Sequence, residues 1–351
     1  MNNNIILPIG LADNSLFSHS NSNPSFNQTQ SNLLGTHQPL VIASQMDAAT
    51  NAALTGIVTG HREQAIQLRA FQPDNFDRLQ EAEVLLATPQ GWPAQAPQGW
   101  PFKLKWIQLV SSGIDFYPEW LFQSVVVTTS RGATALTIVE YVLAALFQQH
   151  KKLQQLQIYG PDQWQRQSIP LMHGTTLGIV GYGAIGQLLA QYAQALGLQV
   201  IVLRGSQQAI SQQGIQQVNS IKELIPQVDH LVLAAPATVA THHLINTQVL
   251  AQAKPHLHLI NVARGSLIDQ HALLEALEQG RIAHATLDVT TPEPLPANHP
   301  LYRHSRVTIT PHTSATASNV IPAVIQQFDH NLSQYLNQQP LDNRVDFQRG
   351  Y

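Results

Sequence analysis

The chain has 351 residues, of which 44% are hydrophobic, 11% are charged and none is cysteine. This length and apolar content suit about two ordinary domains, and the lack of cysteine excludes disulfides, a catalytic thiol and thiolate metal sites. The 18 Lys and Arg against 21 Asp and Glu leave a net charge of −3, which offers no field to attract nucleic acid or a membrane surface, so we expect neither partner.

The first 38 residues are rich in Asn, Ser and Gln, and Asp13 is the only Asp, Glu, Lys or Arg among them. Such a composition buries too little apolar surface to fold, so we predict a flexible tail over residues 1–38. The sequence has neither the positive leading segment of a signal peptide nor an apolar run of 18 residues. We therefore expect a cytoplasmic protein.

Globular composition begins at residue 39 with the run Pro-Leu-Val-Ile. Further apolar runs predict buried strands over residues 84–87 and 106–110, which suits a first α/β domain. A long apolar helix is predicted from Ala135 to about His150, leading towards a second α/β unit.

The run Leu-Gly-Ile-Val then leads directly into Gly181-Tyr-Gly183-Ala-Ile-Gly186, a G-x-G-x-x-G motif. In a dinucleotide-binding turn the first glycine permits the tight bend, the second lets the backbone approach the pyrophosphate, and the third packs helix on strand. A helix predicted over residues 187–196 and a strand over 199–203 complete the β-α-β unit that this motif requires. We therefore predict a dinucleotide-binding domain.

The end of that second strand lacks the acidic residue with which NAD enzymes bind the ribose 2′-hydroxyl. The chain has Arg204, Gly205 and Ser206 there, and no Asp or Glu occurs between Asp162 and Glu223. Arg204 offers a guanidinium and Ser206 a hydroxyl to a 2′-phosphate, although an arginine at a strand end is also an ordinary surface cation. The sequence thus favours NADP(H) over NAD(H).

Strands are predicted again over residues 230–235, 258–262, 283–289 and 307–310, alternating with helices. This alternation predicts a doubly wound parallel sheet.

Arg264, Glu293 and His312 follow the ends of the last three of these strands. Singly, each has an ordinary explanation: a surface cation, a loop acid between prolines, and one of 16 histidines. Open parallel sheets bind their ligands at the carboxyl ends of strands, so the joint position of the three side chains predicts a catalytic site.

Several segments share their pattern with one enzyme family. They are the glycine motif, Val-Ser-Ser-Gly-Ile-Asp at 110–115, Thr-Ser-Arg-Gly at 129–132, Glu-Tyr at 140–141, Asn-Val-Ala-Arg-Gly at 261–265, residues 287–296, Pro-His at 311–312, residues 340–346 and the closing Gly350-Tyr351. On these segments the chain, from about residue 39 onward, resembles the D-isomer-specific 2-hydroxyacid dehydrogenases, most of all the glyoxylate/hydroxypyruvate reductases. The resemblance implies two Rossmann-like domains. A dinucleotide-binding domain at 134–319 is inserted into a flavodoxin-like catalytic domain built from 39–133 and 320–351.

The resemblance also implies the roles of the site residues. His312 would be the acid/base, Glu293 its partner, and Arg264 the holder of the substrate carboxylate and carbonyl oxygen. Reducing a 2-oxo acid builds an alkoxide that needs a proton, and a nearby carboxylate favours the imidazolium form of a histidine. The backbone amides of Ser112 and Gly113 would bind the other carboxylate edge. With the glycine motif included, the expected cofactor contacts are Gly181, Gly183, Ala184, Ile185, Gly186, Arg204, Ser206, Pro236, Thr241, Val262, Ala263 and Asp288.

The expected reaction is hydride transfer between NAD(P)H and a small 2-oxo acid, with glyoxylate or hydroxypyruvate favoured, in a homodimer. Two departures from the family pattern bear on substrate size: Thr137–Glu140 lacks the usual small residue before Glu, and Thr-Ser-Ala follows His312. An NAD(P)(H)-sensing interaction protein on the same fold and a formate- or phosphite-type dehydrogenase remain alternatives. No metal is expected, because the histidines include no H-E-x-x-H motif.

Overall fold

Two parallel β-sheets organise the polypeptide in the computed structural model, which describes residues 39–61, 65–206 and 208–347. The tail predicted over residues 1–38 and the closing Gly350-Tyr351 lie outside these ranges. Within the described part of the chain, no helix combines the length and the apolar character that crossing a bilayer requires.

The first sheet has five parallel strands and both of its faces are buried. The strands are β1 (Leu40–Ser44), β2 (Ile66–Ala70), β3 (Val84–Ala87), β4 (Trp106–Leu109) and β5 (Val126–Thr129). Their order is β2-β1-β3-β4-β5. Leu85 and Ile107 belong to the core on one face, while Leu86 and Trp106 belong to the core on the other. Burial on both faces is the reason that the inner strands read as continuous apolar runs.

The α-helices of the described residues are, in chain order, α1 (Ala48–Val58), α2 (Ala135–Lys151), α3 (Leu153–Leu156), α4 (Ala184–Ala195), α5 (Ile221–Leu224), α6 (Thr247–Leu250), α7 (Gln270–Glu278) and α8 (Val320–Leu336). Two of them from opposite ends of the described chain, α1 and α8, cover one face of the first sheet. Phe328 of α8 stacks on Trp106 with ring centroids 5.4 Å apart. Asn331, also on α8, donates a 3.0 Å hydrogen bond to the Gln108 side chain. The C-terminal helix therefore packs against strands from the beginning of the chain.

The second sheet has seven parallel strands. They are β6 (Thr176–Val180), β7 (Gln199–Leu203), β8 (Ile215–Val218), β9 (His230–Leu233), β10 (His258–Asn261), β11 (His284–Leu287) and β12 (Val307–Ile309). Their order is β12-β11-β10-β9-β6-β7-β8, so the chain runs outward in both directions from β6. This arrangement confirms the predicted doubly wound α/β fold and creates a crevice at the carboxyl ends of β6 and β9, where such folds bind ligands.

Packed helices cover both faces of the second sheet. α2 and α4 contribute Val139, Leu146 and Leu189 to the core on one face, and α7 contributes Leu273 and Leu277 to the core on the other. The helix predicted from residue 187 begins earlier, at Ala184, because Gly183 serves as its N-cap and the glycine turn leads straight into it. The N-terminus of α4 therefore lies within the glycine turn.

A row of histidines lies at the amino-terminal edge of the second sheet, opposite the crevice. His230, His258 and His284 are the first residues of three neighbouring strands and lie in register. His150 from α2 extends the row, with its Nε2 2.8 Å from Nε2 of His230. His258 contacts the Thr286 hydroxyl at 2.9 Å. We call these four histidines the histidine row.

Burial keeps the histidine row neutral. Burial, assisted by neighbouring His150, lowers the pKa of His230 to about 4. Burial, with the charge of Lys152, lowers the pKa of His284 to about 4, and burial lowers that of His258 well below its ordinary value. The Nδ1 atoms of His150, His230 and His258 are buried without a hydrogen-bond partner among the described residues.

Candidate active site

The glycine turn after β6 has the geometry of a pyrophosphate cradle. Gly181 has a φ of +99°, and a Cβ there would lie 2.6 Å from the carbonyl oxygen of Ala234. A Cβ on Gly186 would overlap the carbonyl oxygen of Gly181, so this glycine lets the helix pack on the turn. Gly183 differs, because a Cβ there would meet nothing within 4 Å. Its open side is the space that a pyrophosphate would fill.

The N-terminus of α4 faces the same open space. Gly183 is its N-cap and makes no side-chain capping bond, so the amides of Ala184 and Ile185 in the first turn lack intrahelical acceptors. Such amides, with the positive end of the helix dipole, bind phosphate groups. The residues present therefore fit a dinucleotide.

Arg204 and Ser206 follow β7, at the position where the ribose of a dinucleotide is bound in this kind of fold. The Arg204 guanidinium lies 5.7 Å from the ring centroid of Tyr182, the middle residue of the glycine turn. Among the described residues, Arg204 makes no hydrogen bond or ion pair. Ser206 is exposed, and its hydroxyl accepts a 3.2 Å bond from the amide of Gln208. The cation at this strand end is therefore available to a ligand.

The other expected cofactor contacts lie at the carboxyl ends of β9 and β10. The Thr241 hydroxyl donates a 2.7 Å hydrogen bond to the carbonyl of Pro236, which closes the turn after β9. Val262 and Ala263 directly follow β10 and are each 7% exposed. These positions border the crevice beside the glycine turn.

The side chain of Asn261 fixes the backbone turn that carries Arg264. The side-chain oxygen of Asn261 accepts a 3.0 Å bond from the Ala263 amide, and its amide nitrogen donates a 2.9 Å bond to the Arg264 carbonyl. A Cβ on Gly265 would overlap the backbone of Thr290, so only glycine fits against the next loop. The turn therefore holds Arg264 in one position.

Arg264 reaches across to the loop that follows β4 in the first sheet. Its Nε and Nη2 donate hydrogen bonds of 2.7 and 2.8 Å to the two carboxylate oxygens of Asp115. Its Nη1 donates a 2.8 Å bond to the Ala263 carbonyl. A Cβ on Gly113 would overlap the guanidinium, so glycine at this position allows the close approach of Arg264. Ser112 beside it bonds the Ser130 carbonyl at 3.3 Å.

His312 and Glu293 form the second half of the site. Nδ1 of His312 lies 2.8 Å from a Glu293 carboxylate oxygen. Because a carboxylate only accepts hydrogen bonds, Nδ1 carries the proton and Nε2 is the reactive nitrogen. Nε2 has no hydrogen-bond partner among the described residues. The other Glu293 oxygen accepts a 3.0 Å bond from the Thr290 amide, which fixes the carboxylate.

Asp288 anchors the turn that carries His312. Its side chain is 1% exposed, and one oxygen accepts bonds from the Thr310 hydroxyl (2.6 Å) and the Thr313 amide (2.9 Å). The other oxygen accepts a 2.9 Å bond from the Ser314 amide. His312 itself has a φ of +49° and donates its backbone N–H to the Asp288 carbonyl at 2.9 Å. The cofactor contact expected at Asp288 stays a prediction, and within the protein this carboxylate fixes the turn that carries His312.

Phe116 brings the two halves together, and the sequence did not identify it. The Arg264 guanidinium lies 4.6 Å from its ring centroid, and the His312 ring lies 6.1 Å away. Phe116 is 42% exposed, so its ring borders open space between the cation and the imidazole. Arg264, Glu293 and His312, which the sequence predicted to lie together, are close to one another here. A guanidinium, an imidazole with a free nitrogen and an adjacent carboxylate can bind an organic acid and move a proton.

Three comparisons identify relatives of this chain. The sequence profile of the D-isomer specific 2-hydroxyacid dehydrogenase, NAD binding domain, matches residues 141–314. Glyoxylate/hydroxypyruvate reductase A of Serratia proteamaculans is 32% identical over 261 residues, which are 71% of this chain and 81% of that protein. The human glyoxylate reductase/hydroxypyruvate reductase is 34% identical over 173 residues, or 49% of this chain and 53% of that protein. The crystal structure of a D-isomer specific 2-hydroxyacid dehydrogenase family protein from Aeromonas salmonicida has a TM-score of 0.73 at 28% identity, covering 89% of this chain and 100% of that one.

The fold and the site together define an NAD(P)-dependent oxidoreductase. The chain belongs to the D-isomer specific 2-hydroxyacid dehydrogenase family. Its relatives assign it to the glyoxylate reductase subset, which confirms the resemblance seen in the sequence.

Proposed function

We propose that the protein reduces small 2-oxo acids to D-2-hydroxy acids, with glyoxylate and hydroxypyruvate as the favoured substrates and His312 as the proton donor. The observation that supports this proposal is that Arg264 and His312 both contact Phe116, with the guanidinium 4.6 Å and the imidazole 6.1 Å from its ring centroid. One group suits a carboxylate and the other suits the adjacent carbonyl oxygen, which matches the two functional groups of a 2-oxo acid.

Arg264 can hold Asp115 and a substrate at once. A guanidinium has five N–H groups, and three are used by the two Asp115 oxygens and the Ala263 carbonyl. One N–H is left on each terminal nitrogen, a pair that can bind a second carboxylate in bidentate fashion. Substrate binding therefore does not require Asp115 to leave.

His312 supplies the proton that the reaction consumes. A 2-oxo acid, NAD(P)H and one proton give a 2-hydroxy acid and NAD(P)+, so the carbonyl carbon gains hydride and its oxygen gains the proton. When bound in the crevice, the dihydronicotinamide supplies the hydride. Nε2 of His312 donates the proton to the oxygen, and Glu293 stabilises the imidazolium from the Nδ1 side. The domain boundaries expected from the resemblance put this chemistry in the cleft between the two domains.

The proposed cofactor is NADP(H). No carboxylate is available after β7 for a ribose 2′-hydroxyl, and Arg204 presents a cation without an ionic partner among the described residues. A 2′-phosphate is negatively charged and would give this guanidinium an ionic partner.

The proposed oligomer is a homodimer formed through the segment that follows α2. Leu153, Tyr159, Trp164 and Leu171 in this segment are between 72% and 82% exposed. Contiguous exposed apolar groups mark interaction surfaces in soluble proteins. Sedimentation analysis of wild type and of a Trp164→Ser/Leu171→Ser variant tests this point, because a dimer that forms here would dissociate in the variant. The cytoplasmic location expected from the sequence stays a prediction.

The reaction is tested by initial rates of NADPH and NADH oxidation with glyoxylate, hydroxypyruvate and a panel of bulkier 2-oxo acids. His312→Ala and Arg264→Ala should each lower kcat/KM by at least about 10²-fold while cofactor binding survives. Exposed His271→Ala and Arg281→Ala are the matched controls and should keep wild-type rates. Cofactor binding without turnover on any substrate would instead support a sensing protein, and turnover of formate or phosphite would support the other alternative. Its relatives favour neither alternative.

A further inference from the structure

Tyr182 has a role that the glycine motif itself does not require. The motif needs glycine on both sides of this position but sets no demand on the residue between them. In this chain the residue is tyrosine, and its ring lies 5.7 Å from the Arg204 guanidinium. Because Arg204 makes no hydrogen bond or ion pair with the described residues, the ring is the contact that sets the direction of the guanidinium.

A relay of glutamines fixes the tyrosine in turn. The Tyr182 hydroxyl donates a 2.9 Å hydrogen bond to the side-chain oxygen of Gln212. The Gln212 side-chain amide donates a 2.7 Å bond to the side-chain oxygen of Gln194 on α4. Gln194 donates a 2.9 Å bond to the backbone carbonyl of Gln213. Each donor meets an acceptor, so the relay is satisfied and ties the ring to both α4 and the segment before β8.

We propose that Tyr182, held by Gln212, is a positioning residue that aims Arg204 at the 2′-phosphate of NADP(H). This inference rests on the proposed cofactor. A guanidinium that stacks its flat face on an aromatic ring keeps its N–H edge free, and that edge forms the paired hydrogen bonds that a phosphate accepts. The relay thereby converts a mobile surface arginine into a fixed phosphate ligand, and it lowers the entropy lost when the phosphate binds.

The test measures binding, without turnover, with two probes that lack the nicotinamide. Calorimetry on the full-length protein gives Kd for 2′,5′-ADP (adenosine 2′,5′-bisphosphate) and for 5′-AMP, which differ only in the 2′-phosphate, so the ratio of the two Kd values isolates the contribution of that group. Wild type should bind 2′,5′-ADP at least about tenfold more tightly, and Arg204→Ala should bring the ratio close to one. Tyr182→Leu should lower the ratio about three- to tenfold while leaving the Kd for 5′-AMP nearly unchanged. Retained 5′-AMP binding also shows that the variant is folded.

The relay is tested by removing its hydrogen bond from either side. Tyr182→Phe and Gln212→Leu should each lower the ratio by about the same smaller factor, and the double variant should be no worse than either, because both remove one shared interaction. Gln216→Leu, an exposed glutamine on β8, is the matched control and should keep the wild-type ratio. An unchanged ratio in Tyr182→Leu would overturn the inference. An equal loss of affinity for both probes would also overturn it, because it would mean that the tyrosine ring or Arg204 stacks on the adenine.

Failure of this inference differs from failure of the proposed function. A wild-type ratio near one, combined with rapid glyoxylate reduction by NADH, would overturn the role of Tyr182 and leave the reaction intact. A high ratio that falls in Tyr182→Leu, without turnover of any 2-oxo acid, would support the role of Tyr182 and contradict the reaction.

Discussion

The carboxylate of Asp115 and the guanidinium of Arg264 form a bidentate ion pair that joins the loop after β4 to the loop after β10, with bonds of 2.7 and 2.8 Å. Burial raises the pKa of the Asp115 carboxyl, but the hydrogen bonds and charge of Arg264 lower it by more, so its pKa lies below the ordinary value. The pair is therefore ionised at neutral pH. The same guanidinium lies over the ring of Phe116, 4.6 Å from its centroid.

Asp115→Asn should weaken substrate binding by loosening Arg264. The amide keeps an acceptor but replaces two charge-assisted hydrogen bonds with a weaker neutral contact, so the guanidinium is less well oriented. We expect kcat/KM for glyoxylate to fall about tenfold, mainly through KM, because the proton donor is untouched. Steady-state kinetics alongside the exposed control Asp74→Asn checks this, and a lower KM would mean that Asp115 competes with the substrate.

Two glycine substitutions in the same motif should have opposite consequences. Gly183→Ala adds a Cβ to open space, at a φ of −84° that alanine adopts freely, so folding should be nearly unaffected. The same methyl occupies the space for the pyrophosphate, and cofactor binding should weaken at least about tenfold. Gly186→Ala drives a Cβ into the Gly181 carbonyl and should destabilise the fold, by about 1–3 kcal/mol.

Urea unfolding and calorimetric NADPH titration of both glycine variants separate the two effects. Loss of stability without loss of binding in Gly183→Ala would show that the open side of Gly183 is not the pyrophosphate cradle.

Glu293→Gln should lower the rate of reduction. Glutamine can still accept the Nδ1 proton of His312 but supplies no negative charge beside the ring. We expect kcat/KM for glyoxylate to fall about 10- to 100-fold, mainly through kcat, because the proposed carboxylate holder Arg264 is untouched. Initial rates with exposed Glu278→Gln as control check this, and wild-type rates in Glu293→Gln would contradict the role of Glu293.

Sequence patterns predicted the inner strands better than the outer ones. β3, with the sequence Val-Leu-Leu-Ala, is buried throughout and reads as an uninterrupted apolar run. The edge strands β2 and β8 were not predicted, because they are half-exposed and carry polar residues such as Gln67 and Gln216. β5 was missed for another reason: Thr128 is buried and polar, and its hydroxyl accepts a 2.7 Å bond from the Trp106 indole. The burial of Thr128 is explained by its hydrogen bond to Trp106, which is formed only in the folded protein.

Site residues could be predicted from the sequence where the chemistry requires one particular residue type directly after a strand. Arg264, Glu293 and His312 fall into that class, and so do the glycines. Asp115 and Phe116 do not, because their partner Arg264 is 149 positions away from Asp115 and no local pattern links the two. The relay from Tyr182 to Gln212 was missed for the same reason. Long-range contacts between ordinary side chains require the fold.

The histidine row should make the protein sensitive to acid. His230 and His284 have folded-state pKa values of about 4, below the ordinary value of 6.5, and the pKa of His258 is also lowered by burial. The unfolded chain therefore binds more protons than the folded chain between about pH 4 and 6.5. Stability is highest above pH 6.5 and falls as the pH drops through this window, by about 1.4 kcal/mol per pH unit for each such histidine.

The groups around the row set the direction of this effect. Lys151 on α2 and His256 beside β10 disfavour further positive charge, while Asp229 before β9 favours it. Burial lowers the pKa of His284, and the positive charges of Lys152 and His304 lower it further. Asp229 forms ion pairs with Lys254 and His256, which lower its pKa to about 2 although burial raises it. Asp229 therefore stays ionised between pH 4 and 6.5, but its charge is already balanced by these two partners and does not compensate protonation of the histidine row.

A double variant separates the histidine row from general acid unfolding. His258→Leu with Thr286→Val removes the most buried imidazole and the hydroxyl that it contacts, so no polar group loses its partner. Urea unfolding at pH 8 should give nearly wild-type stability, whereas the slope of stability between pH 6 and 5 should be shallower by about 1.4 kcal/mol per pH unit. His271→Leu, on the exposed face of α7, should leave that slope unchanged. An identical slope in the double variant would mean that His258 titrates alike in the folded and unfolded chains, and the acid sensitivity would then have to come from other groups.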